Sequence, residues 1–369
     1  MAGARGALVI NKHPTIKAKE TAITTIVKWT GIACAAVGLA ACSTTATTGL
    51  QVKEVGSYHM GGRAVTLAGL PPKEITFTPG APPLKVDPNG DFEVESLYAR
   101  YTRLERPKAT YPLMLWHGGG LSGVTFETKP DGQPGWESFF LRAGHDVYVS
   151  DAVERGRASW ARYPEIFKSE PFFRPKKEAW ELFRIGPNGS YRTDAAQRST
   201  NPGARFPVEA FDQFARQGIP RWSSNDAATQ AAYDAYVRRQ CPCVIVVHSQ
   251  GANFAFQAAL AQPDKVKAIV VVEPSGSPDP DTTDYGRIKG IPMLWVWGDY
   301  IDRYPFWQGI MARQEKFRAN LAKAGGTADR LSLPEAGIAG NTHMMMMDRN
   351  SDEIAARIQQ WLVKQGLAK

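Results

Sequence analysis

The feature that most constrains this chain is a series of short, unbroken apolar runs: Tyr111 to Trp116, Val147 to Ser150, Val244 to Val247, Ala268 to Val272 and Met293 to Trp297. Runs of this length without polar alternation have no solvated face, so they suit parallel strands covered on both sides. Between and after them lie helix-like stretches: Gly135 to Ala143, Asp226 to Arg239, Ala252 to Ala261, Phe306 to Lys323 and Asp352 to Lys364. Strand alternating with helix means an α/β fold, a mostly parallel central sheet with helices on both faces. Ligands meet such a sheet at the carboxyl ends of its strands, so the residues that directly follow the apolar runs are the candidates for chemistry. Upstream, Ala64 to Leu67, Glu74 to Phe77 and Glu95 to Leu104 are strand-like, the last partly alternating as an exposed antiparallel strand does.

With 43% hydrophobic and 22% charged residues over 369 positions, the chain is globular rather than disordered or fibrous. Its formal charge of +8 would invite a nucleic-acid reading, but half of the excess lies in residues 1–41, where Arg5, Lys12, Lys17, Lys19 and Lys28 stand against Glu20 alone. No basic run interleaves with aromatic stacking residues, so no nucleic-acid partner is expected.

That first segment reads as an address. Trp29 to Ala41 is apolar, follows a lysine-bearing stretch and is too short for a permanent span, as in a secretory signal. It closes on Leu39-Ala40-Ala41-Cys42, which resembles the lipobox of bacterial lipoproteins, where cleavage precedes a cysteine that is then acylated. The resemblance implies a signal peptide over 1–41, lipidation at Cys42 and, with Ser43 in place of an Asp, a lipid anchor in the bacterial envelope, at the outer membrane. A polar tether over 42–56 would connect the anchor to a catalytic domain over 57–369. Cys241 and Cys243 then remain, either as a local bridge or as two small buried residues at a strand entrance, the second being favoured. Ligand spacing for a metal is lacking.

Residues 152–240 interrupt the alternation with a Pro-, Arg- and aromatic-rich stretch holding fifteen basic residues against ten acidic ones. An insertion of this size is expected to be a cap, either a gating lid or a set of packed surface helices.

Two strand ends carry the sharpest motifs. Val244 to Val247 runs into His248-Ser249-Gln250-Gly251 and then into a helix of small residues, the context a nucleophile elbow requires, although Val247 stands where G-x-S-x-G has its first glycine. Tyr111 to Trp116 runs into His117-Gly118-Gly119-Gly120, a loop whose unobstructed amides suit an oxyanion, with Gly119 or Gly120 and the amide of Gln250 as donors. The order in this architecture is Ser, acid, His, and one histidine follows Ser249: His343, just before the last helix. Two carboxylates compete for the acid, Glu273 after Ala268 to Val272 and Asp299 after Met293 to Trp297. Met344 to Met347 follow the base and suit either an adaptable acyl pocket or core packing.

Together, HGGGLSGVTFETKPDGQPGWESFFLRAGHDVYVSD, HSQGANFAFQAA, VVVEPSGSP, WVWGDYI and NTHMMMMDRN resemble a small group of bacterial carboxylesterases in the α/β-hydrolase superfamily, whose triad acid is a Glu after strand six. The resemblance covers roughly residues 110–365 outside the insertion. It implies an α/β-hydrolase fold, with Ser249 as nucleophile, His343 as base, Glu273 as acid, and Gly119 with Gln250 as oxyanion donors. The expected activity is hydrolysis of small-molecule carboxylic esters through an acyl-enzyme, without metal or organic cofactor. A C–C (diketone) or polyester hydrolase would use the same parts, and a catalytically silent hydrolase-like surface lipoprotein is the alternative from another class.

Overall fold

The computed structural model describes residues 49–160 and 162–369. The signal segment, Cys42 and Ser43 lie outside the described residues. Eight strands form one sheet: β1 (Val52–Leu67), β2 (Gly90–Leu104), β3 (Leu113–Trp116), β4 (Val147–Asp151), β5 (Cys243–His248), β6 (Val266–Val272), β7 (Met293–Trp297) and β8 (Ala328–Ser332). Their spatial order is β1-β2-β4-β3-β5-β6-β7-β8. From β4 to β8 every pairing is parallel, while β2 runs antiparallel to both β1 and β4. A short separate ribbon, Lys73–Ile75 with Leu84–Val86, projects from the connection between β1 and β2.

The unbroken apolar runs are buried because helices cover both faces. Leu113, Leu115, Val244, Val246, Val270 and Val296 point into one core, and Met114, Trp116, Ile245, Val247, Val271 and Trp295 into the other, the two-residue period of a strand deciding which. The first core is closed by α2 (Trp136–Ala143) and α9 (Ser351–Lys364), following the short α1 (Val124–Glu127). The second is closed by α5 (Asp226–Gln240), α6 (Gly251–Ala261) and α8 (Pro305–Lys323), with the single turn α7 (Tyr285–Ile288) beside them.

Three expectations change. The tether does not extend to residue 56: β1 begins at Val52 and pairs along the whole of β2, so residues 52–56 gain ladder hydrogen bonds even though their side chains stay largely exposed. The insertion is shorter than 152–240, since α5 buries Tyr233, Tyr236 and Val237 in the second core and is scaffold rather than cap. Cys241 and Cys243 are joined by a disulfide, their Cα atoms 4.4 Å apart, a distance within bridging reach that the intervening Pro242 permits.

The remaining cap carries α3 (Lys176–Leu182) and α4 (Phe211–Ala215). Trp180, Phe183, Phe206, Phe211 and Phe214 belong to the same core as α2 and α9, so the cap is packed structure with its own aromatic cluster, not a structureless loop. Met344 to Met347 are all fully buried in that core. Among the described residues no helix is long and apolar enough to cross a membrane.

Candidate active site

Ser249 sits at the bend between β5 and α6, with a left-handed φ of 53°. An L side chain holds that conformation only where surroundings enforce it. Here the Ser249 N–H donates to Val272 O at 3.0 Å and the Ser249 carbonyl accepts from Ser275 N at 3.1 Å, tying the bend to the neighbouring strand end. The chain can turn this tightly because its neighbours are small: a Cβ on Gly251 would lie 2.7 Å from His117 O, and one on Gly118 would lie 2.9 Å from Ser249 Cβ.

His343 approaches from the loop before α9, its Nε2 3.1 Å from Ser249 Oγ and its Nδ1 3.2 Å from Glu273 Oε2. The tautomer that satisfies both carries its proton on Nδ1, leaving Nε2 to accept from the serine hydroxyl. The ring is wedged between Phe183 and Trp307, with centroid distances of 5.4 and 4.3 Å. Burial lowers its pKa below the ordinary 6.5, an effect that the Glu273 carboxylate partly offsets, so the imidazole is neutral at neutral pH.

Glu273, directly after β6, is fully buried and also left-handed, with φ 51°. Burial alone would raise its pKa, but the adjoining Arg184 guanidinium and the His343 hydrogen bond outweigh it and bring the carboxyl down to about 2. Its Oε1 accepts from Arg184 Nη2 and from Gly298 N, both at 2.6 Å. The other candidate acid, Asp299, is directed elsewhere: Oδ1 accepts from Tyr300 N at 2.7 Å and Oδ2 from Gly340 N at 2.9 Å. It braces the loop that carries His343, while Glu273 meets the imidazole.

Two participants carry no signal in the sequence. Arg184 comes from the cap, has φ 57°, is fully buried, and spans from the Glu273 carboxylate to the Asp299 carbonyl, to which Nε donates at 2.8 Å. Its neighbour Phe183 offers the carbonyl that receives the His343 N–H at 3.0 Å. The cap is therefore part of the site's frame. Asp348 is the second: its carboxylate accepts from Thr342 N, Thr342 Oγ1 and Asn341 Nδ2 at 2.8, 2.8 and 3.0 Å, and so shapes the loop presenting His343. Burial raises its pKa to about 6 against those hydrogen bonds.

The glycine loop lies against the elbow. His117 clasps it, with Nε2 accepting from Ala152 N at 3.0 Å and Nδ1 donating to Gly118 O at 2.8 Å. Burial drives the His117 pKa down to about 4, which keeps that neutral tautomer. Gly119 borders the Gln250 carboxamide, whereas Gly120 turns toward the cap and its carbonyl accepts from Ile219 N at 2.9 Å. His248 donates from Nε2 to His343 O at 3.0 Å, a bracing role. Among the described residues no cluster of His, Cys, Asp and Glu could hold a metal ion.

A serine poised on a strand-to-helix bend, met by a histidine that is itself held by a buried carboxylate, within a sheet of this topology, defines an α/β-hydrolase. Comparison with solved structures narrows this. A bacterial esterase shares 32% identity, with 86% of this chain and 97% of that one covered and a TM-score of 0.73. The chain belongs to that esterase family of α/β-hydrolases, and it is a hydrolase acting on carboxylic esters. Among curated proteins, "Probable secreted lipase phiG" of Fungal sp. (strain ATCC 74256) is 26% identical over 335 residues, covering 75% of this chain and 88% of that protein. No family model matches the sequence.

Proposed function

We propose that this esterase works through an acyl-enzyme with Ser249 as nucleophile, His343 as general base and acid, and Glu273 as the carboxylate that fixes and stabilises the imidazole. The observation that carries the reading is the continuous Ser249–His343–Glu273 contact, at 3.1 and 3.2 Å, in a buried setting. His343 takes the Ser249 proton as Oγ attacks the ester carbonyl, then returns it to the departing alkoxide; water repeats the sequence on the acyl-enzyme. The amides of Gly119 and Gln250 receive the negative oxygen of each tetrahedral intermediate. The test is labelling of the purified protein with a fluorophosphonate, beside a Ser249→Ala control, and turnover of nitrophenyl esters of increasing acyl length. Labelling confined to the Ser249 peptide and turnover of short esters are expected; no labelling above the control would overturn the assignment.

We further propose that the protein is exported and anchored through Cys42. The lipobox-like Leu39-Ala40-Ala41-Cys42 supports this, as does a relative whose name describes a secreted lipase. Cys42→Ala should shift the protein out of the membrane fraction or stall its processing, and unchanged fractionation and mass would refute the anchor.

A further inference from the structure

A small cavity opens beside the glycine loop, walled by Gly120, Leu121, Ala179, Phe183 and Phe214. Phe183 links the cavity to the active site, since its ring also stacks on that of His343. The cavity therefore lies under the cap, one side chain removed from His343. Its charged lining is Arg174 and Lys176, with no carboxylate among the lining residues.

Arg174 is the more informative cation. Its Nη1 is engaged by Glu178, while its Nε is buried and has no hydrogen-bond partner among the described residues. The guanidinium lies over the rings of Phe172 and Phe183, 5.6 and 5.8 Å from their centroids. Guanidinium groups grip carboxylates through two adjacent N–H groups, and an apolar floor strengthens that grip by excluding water. Lys176, by contrast, is paired with Asp212 at 3.0 Å and half exposed.

A second guanidinium stands alongside. The backbones of Phe172 and Arg221 pair reciprocally at 2.7 and 3.0 Å, which sets Arg221 close to Arg174. Arg221 Nη1 is 3.4 Å from where a Cβ on Gly119 would sit, and Arg174 Nε is 3.9 Å from the same point on Gly120. Two cations therefore flank consecutive residues of the loop that borders the nucleophile. Arg221 faces Asp226 at 3.9 Å, and with the Gln250 carboxamide turned so that its oxygen faces Arg221, that oxygen accepts from Nε at 3.2 Å and Nη2 at 2.5 Å. Burial holds the Arg221 pKa below its ordinary value, opposed by the Asp226 carboxylate and assisted by the nearby charge of Arg174.

We propose that this cavity takes the acyl part of an ester that itself bears a carboxylate, a hemiester of a short dicarboxylic acid. The methylenes lie along Leu121, Phe183 and Phe214, and the far carboxylate is received by Arg174 through Nε, with Arg221 contributing to the field. The inference rests on the acyl-enzyme reading above. The acyl–oxygen bond of the hemiester breaks, Ser249 Oγ takes the acyl group, the alcohol leaves with the proton carried by His343, and water then releases the diacid. Arg174 is a specificity-determining residue in this scheme.

The test compares monomethyl glutarate with methyl pentanoate, of equal acyl length, by proton release on the full-length protein and on Arg174→Gln and Arg174→Lys. The wild-type kcat/KM should favour the hemiester by about tenfold or more, the order expected of a charge-assisted hydrogen bond. That ratio should collapse toward one in Arg174→Gln, recover in part in Arg174→Lys, and shrink with added salt. Calorimetry on Ser249→Ala should show binding of monomethyl glutarate that the added Arg174→Gln change abolishes, a readout that needs no turnover. Turnover of methyl pentanoate as fast as the hemiester, or a ratio indifferent to Arg174, would overturn the proposal while leaving the acyl-enzyme reading intact. Absence of turnover of both esters by a folded protein would overturn both.

Discussion

Replacing Arg184 by Met tests the link between the cap and the buried Glu273 carboxylate. Arg184 and Glu273 are both fully buried and paired at 2.6 Å, and the Glu273 carboxyl lies at about 2 rather than 4.5. That difference corresponds to about 3 kcal/mol of stability, and removing one member of a buried pair costs on the order of 3–5 kcal/mol because the other charge is left uncompensated. Because the folded-state pKa is depressed, the stabilisation is complete above pH 4.5 and is lost as the pH falls toward about 2. Urea unfolding followed by tryptophan fluorescence at pH 7 and pH 3 should therefore show Arg184→Met strongly destabilised at pH 7 and much closer to wild type at pH 3. The double variant Arg184→Met/Glu273→Gln, which removes both charges, should regain part of the stability at pH 7 while remaining inactive. A loss of under about 1 kcal/mol for Arg184→Met at pH 7 would refute the reasoning, since a buried pair of this geometry cannot be broken so cheaply.

Glu273→Gln should reduce kcat by on the order of 10⁴ with little change in KM, as expected when the imidazole loses tautomer control, whereas Asp299→Asn should keep most activity or lose it through stability. The opposite pattern in folded variants would reject Glu273 as the acid. Since burial lowers the His343 pKa, kcat/KM should climb with pH along a limb whose midpoint lies below 6.5 and be level at pH 7. A midpoint at or above 6.5 would contradict that environment.

Sequence by itself determined the layered fold and singled out Ser249 and His343, which the structure brings to 3.1 Å. Val244 to Val247 and its companion runs have no polar alternation to expose, so they had to be interior parallel strands, and the residues just past them had to occupy one edge of the sheet. Edge strands were harder to read. The strand Ala328–Ser332 is half exposed and polar, so its pairing with Met293–Trp297 left no apolar pattern, and most of Val52–Leu67 is exposed on the outer side of the hairpin. The choice between Glu273 and Asp299 depended on direction: both follow apolar strands, and only the folded chain turns one toward His343 and the other toward Gly340. Arg184 was invisible for a related reason. It is one arginine among twelve in residues 152–240, and the contact that distinguishes it spans 89 positions, formed when cap and sheet pack together. Local pattern records which residues must be buried and where the chain must turn. Which buried charge meets which is decided by long-range packing, because desolvating either partner alone is too costly for the pair to exist before the core closes around it.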